Sequence, residues 1–233
     1  MAHCGWSFWS SLLVMSCAEC QKEITRDVMN RIFCVQGPLI LASASPRRHQ
    51  FLVDLGIEHT IEAAEIDEIP KNKELPTDFV RRMAREKAWA VARRFPEHWV
   101  VAADTIVVLD QDILGKPASS REALDMLMRL SGREHRVMTG FSLVAQRRDC
   151  AEVRSVVTRV VFQPFSREQA QAYVATGEPM DKAGGYGIQG QGAFLVQEVH
   201  GSYSNVVGLP LVEFLALLEE YGLVVPCISS PAA

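Results

Sequence analysis

Apolar and polar positions follow two different periods along the chain, and the switch between them marks the elements. Leu39–Ala42 is a short continuous apolar run, the mark of a buried strand. Ser45 then stands at a helix N-cap position with Pro46 at the first helical residue. Phe51, Leu52 and Leu55 recur at helical spacing before Gly56 ends the element. Ile57–Ala64 reads as a second strand. Thr77 is the expected cap of a helix from Asp78 to Phe95, with Phe79, Val80, Met83, Ala84, Ala88 and Val91 on its apolar side. Trp99–Leu109 is a β-branched run, followed by an Asp110–Asp112 turn into Ile113 and Leu114. Ser119 and Glu122 form a capping-box pattern for a helix ending near Ser131 and Gly132, and Ser166 and Gln169 repeat it for a helix ending at Gly177. His135–Ala145 and Val153–Phe162 read as long strands, Ala193–Val199 as a shorter one, and Pro210 opens a last helix to about Tyr221. Strands and helices alternate throughout, so the fold class is α/β.

The first 37 residues do not continue this pattern. Trp6–Met15 is apolar like a short secretory core, and Val14–Cys17 resembles a lipoprotein cleavage site. No lysine or arginine precedes it, although a signal peptide needs a basic n-region. The expectation is an extension outside the fold, with Met15 and Met29 as candidate starts. Four of the six cysteines (Cys4, Cys17, Cys20, Cys34) fall in this region, leaving Cys150 and Cys227 for the body. That distribution does not suggest a disulfide framework, so a reducing cytoplasm is expected. The pair Cys17 and Cys20 reads as incidental. A formal net charge of −4 argues against a nucleic-acid polymer as ligand, and no run is long enough for a transmembrane helix.

The chemistry concentrates at a few points. Ser43, Ser45, Arg47 and Arg48 surround a helix start, where free N–H groups and guanidinium forks suit phosphate oxygens. Asp104 interrupts an apolar strand, a costly position for a carboxylate unless it is paired or holds a metal. Glu68, in an acidic pair with Asp67, could join Asp104 as a hard-oxygen ligand for Mg2+. Lys87 and Lys116 could neutralise a polyphosphate, Lys116 from a tight Gly115–Pro117 turn. The run from Gly185 to Gly190 has the form of a dinucleotide fingerprint. It precedes a strand instead of opening a helix, so it reads as a ligand-approaching loop in which Gln189 can read a base edge. The six histidines lack ligand spacing and suit surface or strand-end roles.

Together, Ser43–Arg48, Ala103–Thr105, Gly115–Pro117 and Asp181–Gly190 resemble the Maf family of nucleoside triphosphate pyrophosphatases. The match continues through Gly201–Tyr203 and Val207–Pro210, and runs in order from about Pro38 to Leu223. The resemblance implies a mixed twisted sheet with flanking helices in two lobes and a nucleotide cleft between them. It divides the chain into an extension (1–37), a pyrophosphatase domain (38–223) and a tail (224–233). It implies hydrolysis of a nucleoside triphosphate to the monophosphate and pyrophosphate with a divalent metal, Mg2+ or Mn2+, as nucleotide-pool house-cleaning, and it allows a homodimer. By motif, Asp104 is the proton acceptor, and Arg47, Thr105 and Gln189 set specificity. Ser45, Arg48, Glu68, Lys87 and Lys116 handle phosphate or metal. The Tyr186–Gln189 loop resembles that of the subgroup acting on dTTP and UTP, with Gly185 where alanine is commoner. Two rivals are a nucleotide-binding regulator of cell division or septum formation without turnover, and a purine-selective inosine-triphosphate pyrophosphatase.

Overall fold

The computed structural model describes residues 31–228. The expected extension over 1–30, including Met15, Met29 and the Cys17 and Cys20 pair, lies outside the described residues. So does the end of the tail.

The backbone of the fold is β4 (Trp99–Leu109), buried along almost its whole length because every side chain except Thr105 meets a packed layer. Along one edge it pairs antiparallel with β6 (Glu134–Ala145). That strand pairs with β7 (Cys150–Phe162), which in turn pairs with β8 (Val196–His200), all antiparallel. Along its other edge β4 has two short partners. β2 (Leu39–Leu41) runs parallel to residues 99–101 and carries β3 (Thr60–Ile61) beyond it, while β5 (Asp112–Leu114) folds back on residues 107–109. The result is a mixed seven-stranded sheet in the order β3-β2-β4-β6-β7-β8 with β5 beside β4. Residues 102–106 of β4 have no strand partner on that second edge, and Asp104 and Thr105 sit in this gap.

Helices cover both faces. On one, α2 (Pro76–Ala92) lies along the sheet, burying Phe79, Val80 and Met83 against Ile106 and Met138, and Ala88 and Val91 against Ile40 and Val100. Its close approach depends on Gly140, where a Cβ would sit 2.3 Å from the Val80 carbonyl oxygen. The other face is divided. α1 (Pro46–Asp54) and α6 (Leu211–Glu220) cover one half through Leu52, Phe214 and Leu217 against Leu41, Val101 and Phe141. α3 (Ser120–Leu130) and α4 (Arg167–Ala175) cover the other through Leu127, Leu130 and Tyr173 against Val107, Val160 and Phe162. α5 (Tyr203–Val207) is a single short turn between β8 and α6, capped by the Ser202 hydroxyl. Among the described residues no helix is long and apolar enough to cross a membrane.

Several expectations need correcting. The strand expected over Ile57–Ala64 shrinks to two residues, since β3 pairs with β2 only at Ile40 and Leu41. Leu75, not Thr77, is the N-cap residue of α2, because Pro76 fits the first helical position. At α3 the box is displaced by one residue: Ser119 accepts from Glu122 N, but the Glu122 carboxylate accepts from Ala118 N. Ala193–Leu195 is the end of a 3-10 turn, so β8 starts only at Val196. Finally, β1 (Phe33–Val35) and β9 (Val224–Pro226) form an antiparallel ribbon joined by a Cys34–Cys227 disulfide. Residues 33–35 and 224–226, expected in an extension and a tail, therefore pack on the fold. A disulfide is present where the cysteine distribution argued against a framework, because it ties two segments that are remote in sequence.

Candidate active site

A cavity of about 440 Å3 opens at the gap in the edge of β4. Successive side chains of a strand point to opposite faces, so Asp104 projects toward α2 and Thr105 toward α1. The gap lets groups from both faces reach one space.

On the α1 side, Arg48 spends its fork in three directions. Nε donates to the Gly208 carbonyl at 2.8 Å, and the two terminal nitrogens donate to Ser43 Oγ and Thr105 Oγ1, each at 3.0 Å. Burial pushes its pKa below the ordinary value, while Asp104 and Glu68 pull it up and Arg47 pushes it down. The Thr105 hydroxyl lies 2.9 Å from that of Thr139, whose own hydroxyl contacts the carbonyl of buried Asn205. Ser45 occupies the N-cap of α1 but makes no side-chain capping bond, so its hydroxyl does not serve the first turn. That helix start faces the cavity with Ser45, Pro46 and Arg47 along its wall.

On the α2 side, buried Lys87 gathers two carboxylates. Its Nζ lies 2.6 Å from Asp104 Oδ1 and 2.7 Å from Glu68 Oε1. Partial burial raises the Glu68 pKa, but the Lys87 hydrogen bond and charge, with Lys116 and Arg48 behind them, outweigh it. The net shift is downward, so Glu68 is ionised at neutral pH. Asp104 is itself nearly buried and stands behind Lys87, not on the cavity wall.

The third wall is the segment from Asp181 to Gln189. Arg47 crosses the mouth to Asp181 at 3.0 Å, and Lys182 holds the other oxygen of the same carboxylate at 2.6 Å. Gly184 N donates to the Gly115 carbonyl at 2.9 Å, joining this segment to the turn that carries Lys116. The Tyr186 hydroxyl meets His135 Nε2 at 2.7 Å beneath the wall. Burial depresses the His135 pKa to about 4, so the ring is neutral.

A family model described as "Maf-like protein" matches residues 38–221. The chain belongs to the Maf family. Three relatives named "dTTP/UTP pyrophosphatase" are similar over most of their length. That of Desulfotalea psychrophila is 54% identical over 80% of this chain and 96% of its own. That of Myxococcus xanthus is 53% identical over 82% and 96%, and that of Geobacter sulfurreducens 49% over 80% and 98%. Among solved structures, the Staphylococcus aureus Ham1 protein aligns with a TM-score of 0.47 at 13% identity, over 79% of this chain and 99% of its own.

In this Maf-family chain Ser45, Arg47, Arg48, Glu68, Lys87, Thr105, Lys116 and Gln189 all line the one cavity, with Asp104 directly behind Lys87. Sequence reasoning gave no site role to Thr139, Asp181, Lys182, Asn205 or Gly208. Ser43 was read with the phosphate-binding helix start and Asp181 only stood in a quoted motif; the contacts they make, with Arg48 and Arg47, are visible only in the fold. As to a metal, Glu68 and Asp104 offer the hard carboxylate oxygens that suit Mg2+ or Mn2+, but the point where one oxygen of each converges is held by the Lys87 ammonium. No group of three or more histidine, cysteine or acidic side chains converges among the described residues. A cation here would be held through the carboxylate oxygens that Lys87 leaves free, with phosphate oxygens and water as its remaining ligands.

Proposed function

We propose that the protein is a nucleoside triphosphate pyrophosphatase acting on dTTP and UTP, releasing the monophosphate and pyrophosphate. The observation that carries this reading is a nearly buried carboxylate, Asp104, held with Glu68 on one lysine at the edge of a cavity that Arg47, Arg48, Lys116 and Lys182 also line. A site that only bound a polyanion would gain nothing from placing carboxylates against it.

Arg48, fixed by three hydrogen bonds, presents a set guanidinium to the triphosphate, and the start of α1 adds its dipole. Arg47 exchanges Asp181 for a phosphate oxygen when substrate enters, and Lys116 neutralises the outer phosphates. Glu68 and Asp104 would hold a divalent cation, which would supply positive charge at the α-phosphate when bound. Asp104 accepts the proton of the attacking water, and Lys87 keeps the carboxylate oriented. The new bond joins water oxygen to the α-phosphorus, and the α–β bridging oxygen leaves with pyrophosphate. Thr105 and Gln189 contact the nucleoside end.

Pyrophosphate release from dTTP, UTP, CTP, ITP and 7-methyl-GTP, with Mg2+, Mn2+ or EDTA, tests the reading. Metal-dependent turnover concentrated on dTTP and UTP is expected. Binding without turnover would replace it with a regulator, and purine-selective turnover with an inosine-triphosphate type.

A further inference from the structure

The segment that carries Gln189 is gripped from behind by two side chains that do not line the cavity. Glu178 stands on the 3-10 turn Glu178–Asp181 and places both carboxylate oxygens on backbone beyond Gln189. Oε2 accepts from Gln191 N at 3.0 Å and Oε1 from Gly192 N at 3.1 Å. Oε1 also accepts the Tyr173 hydroxyl at 2.9 Å, and the Tyr173 oxygen accepts Gly187 N at 3.1 Å. Gly187 precedes Gln189 by two residues and Gln191 follows it by two, so the pair holds both flanks of the reading residue. At Gly192 a Cβ would lie 2.5 Å from both the Gly187 carbonyl oxygen and the Tyr173 hydroxyl, so the flanks are in contact there. Burial pushes the Glu178 carboxyl up, but the two amides, Tyr173 and Lys182 hold it below its ordinary value. The clasp is therefore charge-assisted, the stronger class of hydrogen bond.

A glutamine amide can donate from one end and accept at the other. Uracil and thymine offer a carbonyl at position 4, where cytosine offers an amino group. An amide free to shift reads both, so discrimination requires a backbone that fixes where it sits. We propose that Glu178 and Tyr173 are positioning residues for Gln189, and that their clasp sets the preference for 4-oxo over 4-amino pyrimidine nucleotides. This rests on the assignment of Gln189 to the base given above.

The test compares kcat and KM for UTP and CTP, which differ at that position and in the proton carried by the adjoining N3, in wild type, Glu178→Gln and Tyr173→Phe. The glutamine amide turns an N–H toward backbone donors, so the UTP-over-CTP ratio of kcat/KM falls about tenfold, mostly through KM for UTP. Tyr173→Phe keeps both Glu178 bonds to backbone and loses the Gly187 bond, and the ratio falls about threefold. In both variants kcat for UTP stays within about threefold of wild type, because Arg48, Lys87 and Asp104 are untouched. If Glu178→Gln does not fold, Tyr173→Phe alone decides. An unchanged ratio in folded variants, or an equal loss on both nucleotides, overturns the proposal. Failure of the underlying assignment shows differently, as a wild-type enzyme with no preference for UTP over CTP.

Discussion

Lys87→Met removes one charge from the point where two carboxylates meet and leaves a stem of similar length in the helix. Lys87 and Asp104 are 9% and 6% exposed and 2.6 Å apart, so the change strands a nearly buried carboxylate. Removing one partner of a buried pair costs about 3–5 kcal/mol. Glu68, whose side chain is half exposed, adds less than about 1 kcal/mol. Water entering from the cavity recovers part of the cost, which places the net loss near 3 kcal/mol. For a fold of this size that corresponds to a fall in Tm of about 6–12 °C. Adding Asp104→Asn should return about half of the loss, because no charge is then left stranded. Calorimetry of the two single variants and the double variant at pH 7 measures the coupling directly. A Lys87→Met protein that melts within about 2 °C of wild type, or a double variant that costs the sum of the singles, would refute the reasoning.

Asp104→Asn alone should bind nucleotide with wild-type affinity while kcat falls about 10²–10⁴-fold, the usual contribution of a positioned base; turnover within tenfold of wild type would remove Asp104 from the proton transfer. Glu74 is held at about 2, below its ordinary 4.5, chiefly by hydrogen bonds from Arg82. A depressed carboxylate stabilises fully above the ordinary value and loses that contribution as pH falls toward 2. Denaturation curves between pH 4.5 and 2 should therefore decline less steeply for Glu74→Gln than for wild type, and parallel declines would contradict this. Gly140→Ala should cost about 2–4 kcal/mol by forcing α2 off the sheet, with kcat reduced because Lys87 moves with it; a urea midpoint equal to wild type would show that α2 has room to shift.

Most long elements were legible because their signals are local. β4 runs over the residues its β-branched run marks, and the capping box at Ser166 starts α4 as expected. What failed depends on partners distant in sequence. β7 begins at Cys150, three residues early, because Ala145 of β6 offers it a pairing position. β1 and β9 are three residues each and exist only through one another, and α5 is too short to show a period. Asp104 was visible as a charge in an apolar run. Lys87 was read as neutralising a polyphosphate and not as the partner of Asp104, yet it falls four residues after Met83, three after Ala84 and four before Val91, on the buried stripe of α2. That spacing was the available signal. Nothing comparable marks Glu178, whose partners are backbone amides of a segment without periodicity.

The most direct test of the central claim is hydrolysis of dTTP in water enriched in 18O, with the position of the label read by mass spectrometry. Attack at the α-phosphorus, as Asp104 and the cavity would direct it, puts the label in dTMP and leaves pyrophosphate unlabelled. Label in pyrophosphate, or release of labelled orthophosphate, would mean that water attacks elsewhere on the chain and would contradict the account.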